Sequence, residues 1–148
     1  MIAVDTKVLV YAHRSDSPFH VPAERCLRVL AQGRAPWAIA WPCLHEFYSV
    51  VTHPRIFKQP TSAERACEQI DAWLESPSLQ LLTETGEHWR ALGELLKHGN
   101  IRRPMVHDAR IAAICLGHGV HDELWTADRD FSQFPQLRIR NPLKQDQA

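Results

Sequence analysis

Met1-Ile2-Ala3-Val4-Asp5-Thr6-Lys7-Val8-Leu9-Val10-Tyr11-Ala12 opens the chain and decides its architecture. An apolar run of strand length ends on a carboxylate at Asp5, and a helical pattern follows at once with Val8, Leu9 and Ala12 on one side. A strand without polar alternation is buried on both faces, as in a parallel sheet covered by helices. An acid ending such a strand stands at the carboxyl edge of the sheet, where α/β proteins assemble their sites.

The same unit recurs along the chain. Pro18 ends the first helix, and Pro22 suits the first turn of a second, which carries Cys26, Leu27, Val29 and Leu30 and stops before Gly33. Trp37-Ala38-Ile39-Ala40 predicts a second strand. Pro42 opens a helix whose Leu44, Phe47, Tyr48 and Val51 make an i, i+3, i+4, i+7 stripe, and Pro54 stops it. Thr61 with Glu64 matches a capping box for a helix to about Glu75. Leu79 to Leu82 predicts a short strand, and Thr85 a cap for a helix bearing Trp89, Leu92, Leu95 and Leu96. A helix from about Val106 to His118 stops at Gly119. Leu124-Trp125-Thr126 and a weaker Leu137 to Ile139 complete the strands. The expected class is α/β, with helices on both faces of a parallel sheet. Residues 1–143 form one domain and residues 144–148 a polar tail.

Four acids fall where this arrangement directs function. Asp5 and Asp128 follow two different strands and open onto one sheet edge. Glu46 lies one step off its helix stripe, with Cys43 and Val50 as i−3 and i+4 neighbours. Asp108 heads a small apolar face of Ile111, Ala112 and Cys115. Each has an ordinary explanation: a turn at Asp5, a dipole partner at Asp108, a solvated Glu46, an Asx turn at Asp128 or Asp130. Together they require a coincidence at one edge. If they converge, their repulsion calls for a cation, and all-oxygen donors favour magnesium or manganese over zinc. The chemistry implied is hydrolysis of a phosphate ester by metal-activated water.

Four segments carry a resemblance. They are Val4-Asp5-Thr6, the stretch from His45-Glu46-Phe47-Tyr48 to Arg55-Ile56-Phe57, His107-Asp108-Ala109-Arg110-Ile111-Ala112-Ala113, and Trp125-Thr126-Ala127-Asp128-Arg129-Asp130-Phe131. In order and separation they resemble the PIN-domain nucleases, most closely VapC-type toxins of bacterial toxin–antitoxin pairs. The resemblance implies a three-layer α/β/α fold and a magnesium-dependent endoribonuclease, with manganese as a substitute ion. It also implies a VapB-type antitoxin partner and a homodimer. It places the family's acids on Asp5, Glu46, Asp108 and Asp128. Asp5 and Asp108 are the surest metal ligands, and Asp128 and Asp130 are further candidates. Thr6 and Thr126 match supporting polar positions. Lys7 departs from the small polar residue usual two places after the first acid. It could pair with Asp5, contact a phosphate or compete with the metal.

The remaining sequence bounds these expectations. The 148 residues suit one hydrophobic core. Formal net charge is zero, so RNA cannot be held by bulk charge and needs a local basic rim, a shaped surface or a partner. Arg14, Arg55, Lys58, Arg102, Arg103, Arg110 and Arg129 are rim candidates, with Lys7, Arg55 and Arg129 nearest the acids. Four dispersed cysteines predict small core residues rather than zinc or redox motifs. His118 and His121 lack a cysteine pair at zinc spacing. His107 adjoins Asp108, though a packed or exposed role suits it better. The tryptophans read as core or interface, with Tyr48 and Trp73 offered for a dimer or antitoxin surface. With no visible membrane span or signal peptide, the expectation is cytoplasmic. Two alternatives stay open: a PIN-like module without catalysis, and a haloacid-dehalogenase-like phosphatase, whose second aspartate is replaced here by Lys7.

Overall fold

A computed structural model describes residues 1–102, 104–120 and 123–144. Arg103, His121 and residues 145–148 of the expected tail lie outside the described residues. The strands are β1 (Ile2–Val4), β2 (Trp37–Ala40), β3 (Leu79–Leu82), β4 (Glu123–Trp125) and β5 (Ile139–Arg140). They pair in parallel in the order β3-β2-β1-β4-β5. The helices are α1 (Thr6–His13), α2 (His20–Gln32), α3 (Trp41–Val51), α4 (Ala63–Leu74), α5 (His88–His98) and α6 (Met105–Gly117). Helix α1 packs on α2 and α3, α3 on α4, and α5 on α6, giving the expected three-layer α/β/α arrangement.

The apolar runs work as their composition requires. All of β2 is buried, and Ala3 pairs with Ala38 where β1 meets β2. Helix α6 buries Ala109, Ile111, Ala112, Ala113, Ile114 and Cys115, so small side chains let it approach closely. Phe47, Phe131 and Phe134 are fully buried, each stabilising the fold by ~1.5–3 kcal/mol. Gly119 turns the chain after α6 at φ 65°, where a side chain would be strained.

Several local expectations shift. The N-cap of α4 is Ser62, whose hydroxyl accepts the Arg65 N–H. The Thr61 hydroxyl instead meets His13 Nε2 at 3.1 Å. Glu87, rather than Thr85, occupies the N-cap position of α5. The last strand begins at Ile139, and Leu137 is buried just before it. Trp73 is 7% exposed and meets Phe47 edge-on at 4.8 Å, so it belongs to the core and not to a docking surface. Trp41 and Trp89 are exposed. Cys43 and Cys115 are core residues, but Cys67 is exposed and Cys26 only partly covered.

Strand order explains where the site lies. The chain adds β2 and β3 on one side of β1, then places β4 and β5 on the other. Connections leaving β1 and β4 therefore diverge and leave a crevice beyond their carboxyl ends.

Candidate active site

Asp5 leaves β1 directly into this crevice. It occupies the N-cap position of α1, yet its side chain makes no capping bond. The Thr126 hydroxyl donates to Asp5 Oδ2 at 2.9 Å, and the Cys43 thiol donates to Oδ1 at 3.7 Å. At 3% exposure the carboxylate is nearly buried, where a polar group must be hydrogen-bonded. Thr126, just past β4, also accepts the Asp128 N–H at 2.9 Å. One hydroxyl thus ties both strand ends together.

Asp128 caps a 3₁₀ turn, Arg129–Gln133, by accepting the Asp130 N–H at 2.9 Å. The ordinary Asx role and membership of the cluster coexist at this residue. Glu46 projects from α3 and accepts the Thr6 hydroxyl at 3.0 Å. Asp108 stands in the first turn of α6. Carboxylate oxygens of Asp108, Asp128 and Asp130 all lie within 4.8 Å of one another. The structure therefore gathers Asp108, Asp128 and Asp130 from two segments, and Asp5 and Glu46, outside that group, stand near enough to act on Asp108 by their charge.

Burial pushes the Asp5 carboxyl up to about 6; hydrogen bonds from the Thr6 backbone and Thr126 oppose this, and Glu46 and Asp128 add to it. Asp108 is pushed up to about 7, first by burial and then by Asp128, Asp5, Asp130 and Glu46. A cation among these groups would relieve the repulsion. Three convergent carboxylates suit a hard divalent ion of the magnesium type. The donor set fits such an ion.

Lys7 pairs with Asp128 at 3.9 Å, rather than with Asp5. Arg129 is exposed beside the cluster. Arg55 follows α3 on the surface, and no described contact joins its guanidinium to an acid. Arg14 leaves the rim: it binds Asp16 and the Gln59 carbonyl and stacks 4.1 Å over Phe57. Arg110 is engaged by Glu84 at 2.9 Å, which holds that carboxyl down at about 2. His107 is exposed. The sequence pattern marks Cys43 only as a core residue. Its position one turn before Glu46 was the available signal that it lies beneath the acids.

An α/β/α fold with carboxylates gathered beyond adjacent strand ends defines a class of α/β proteins with an acidic candidate metal site. More particularly, residues 2–137 match the PIN domain model, and the chain belongs to that family. It is 36% identical over 144 residues to Ribonuclease VapC43 of Mycobacterium tuberculosis, covering 97% of this chain and 96% of that one. Ribonuclease VapC48 of the same organism is 31% identical over 139 residues, with 94% and 95% covered. Among solved structures, VapBC2 from Rickettsia felis bound to a promoter DNA fragment has a TM-score of 0.68 at 21% identity, covering 95% and 98%. Mycobacterium tuberculosis VapC20, described as a sarcin-ricin loop cleaving toxin, has a TM-score of 0.66 at 20% identity, covering 89% and 93%.

Proposed function

We propose that this protein is a magnesium-dependent endoribonuclease, the toxin of a VapBC-type pair, acting in the cytoplasm as a homodimer held silent by its antitoxin. The convergence of the Asp108, Asp128 and Asp130 carboxylates, with Asp5 and Glu46 near enough to act on Asp108 by their charge, carries the reading. The named ribonuclease relatives and the toxin–antitoxin complexes sharing the fold support it.

Asp108, Asp128 and Asp130 would hold the ion, with Asp5 at their side. When bound, the ion supplies charge neutralisation, an acidified water and a steady contact for a phosphodiester oxygen. Asp5 stays fixed because both of its oxygens accept bonds from below, yet a carboxylate has about four lone-pair sites and keeps capacity for a ligand. Glu46, aimed by Thr6, is the group placed to orient an attacking water or take its proton. Lys7 brings a positive charge to the edge of the cluster beside Asp128, suited to a phosphate in RNA. That same cation favours the alternative of a binding module without catalysis, because it competes with a metal for Asp128.

The test is cleavage of total RNA by antitoxin-free protein in magnesium, in manganese and in chelator, beside Asp5→Asn, with the cut ends mapped. Discrete metal-dependent cuts that disappear in Asp5→Asn are expected. A folded protein that neither cuts nor binds magnesium would transfer the weight to the non-catalytic module.

A further inference from the structure

Asp128, alone of the five acids, lines a groove of about 1360 Å³ whose walls also include Thr126, Tyr11, Phe19, Arg129 and Lys144. This exceeds the roughly 300–1,000 Å³ of small-molecule pockets and suits a stretch of polymer. The chain has no net charge, but this groove gathers Arg129 and Lys144 against Asp128, while its Arg140 is paired with Glu123 at 3.6 Å. A polyanion entering there meets its attraction beside Asp128, one of the three carboxylates that would hold the metal. The groove also presents an aromatic ring to solvent. Phe19 is 44% exposed and rests on Tyr11, with ring centroids 5.1 Å apart and planes tilted by 44°. A core-building phenylalanine would be covered, and Phe131 and Phe134 show the chain can do so.

An open ring beside backbone-tracking cations is the physics of single-stranded nucleic-acid binding, because every base has a face to stack. A duplex keeps its faces occupied and offers none. We propose that Phe19, backed by Tyr11, is a base-stacking subsite for an unpaired nucleotide near the cleaved phosphate, with Arg129 and Lys144 following the RNA backbone. The inference rests on the nuclease reading and sharpens it: the substrate is an unpaired RNA segment held by one base against this ring.

The experiment measures binding in chelator, where no cleavage occurs, by fluorescence anisotropy of a labelled oligouridine and of an abasic strand of equal length. The full chain is expected to prefer the base-bearing strand. Phe19→Ala should lose about fivefold to a hundredfold on that strand and little on the abasic one, and Phe19→Trp should restore it. Arg129→Ala and Lys144→Ala should weaken both strands alike and flatten the salt dependence. Equal wild-type affinity for the two strands overturns the proposal, as does absence of binding below about 100 µM, the weak end of non-specific association. Equal losses on both strands in Phe19→Ala also overturn it. If Phe19→Ala binds RNA normally but no longer co-purifies with the antitoxin, the ring belongs to the protein partner and the proposal is again overturned. Asp5-dependent cleavage with unchanged binding by Phe19→Ala sinks only the subsite. Stacking-dependent binding without any metal-dependent cleavage sinks the nuclease reading instead.

Discussion

Replacing Asp108 by asparagine keeps the side chain's shape and removes a charge that four neighbouring carboxylates oppose. Its carboxyl moves from 3.8 to about 7 on folding, so the folded chain holds this proton more tightly than the unfolded chain. Asp108 therefore favours folding fully only below about pH 4; that advantage falls as pH rises and is gone above about pH 7. At ~1.4 kcal/mol per unit the full shift would give a ceiling of ~4 kcal/mol. Asp108 is only partly buried, and solvent screening reduces this to ~1–2 kcal/mol. Asp108→Asn should accordingly melt about 2–8 °C above wild type near pH 8 in chelator, with a much smaller gap near pH 4. Saturating magnesium should reverse the order at the higher pH, since a ligand at 100 times its Kd adds ~2.7 kcal/mol only to the protein that binds it. Thermal unfolding by circular dichroism reads all four conditions. A gap that does not grow between the two pH values would refute the account of strain in the cluster. An Asp108→Asn protein as responsive to magnesium as wild type would refute its role as ligand.

Three further perturbations follow from named contacts. Thr126→Val removes a donor to buried Asp5 and the acceptor of the Asp128 N–H; urea unfolding should show a loss of ~1–3 kcal/mol, largely spared in Thr126→Ser. Lys7→Ala removes a cation next to Asp128, and calorimetric titration should find magnesium bound up to about fivefold more tightly at low salt, the range of an exposed ion pair. Trp73→Ala should cost ~3–5 kcal/mol through loss of its contact with Phe47, measured by the urea midpoint, while binding of the labelled oligouridine by the remaining folded protein is unchanged.

Much of the arrangement was legible because it depends on local pattern. Trp37-Ala38-Ile39-Ala40 is apolar without alternation and forms a strand buried throughout. Asp5 and Asp128 were legible as residues of one sheet edge because each follows a strand, and strand ends in a parallel sheet share an edge. What escaped depends on distant neighbours. Thr61 and Ser62 are both competent caps, and Thr61 is drawn away by His13, 48 residues earlier. Lys7 chose Asp128 over Asp5 because Asp5 is turned beneath the helix toward Thr126 and Cys43. Trp73 looked like a surface residue on a polar helix until Phe47 met it from α3. Phe19 and Tyr11 stand on either side of a helix break, so no periodic template joins them.

The bond from Thr126 to Asp5 turns the β1–β4 ladder into a ruler. Val4 stands opposite Trp125, the Asp5 N–H meets the Trp125 carbonyl at 2.9 Å, and the hydroxyl one residue further on reaches both Asp5 and Asp128. The span between two acids is thus measured in strand register and not in loop length. Insertions in the connections between helices can accumulate without altering that span. A slip of one residue in β4 would turn Thr126 to the opposite face and separate the two carboxylates in a single step. Variation in this molecule is therefore cheap around the helices and abrupt along two short strands.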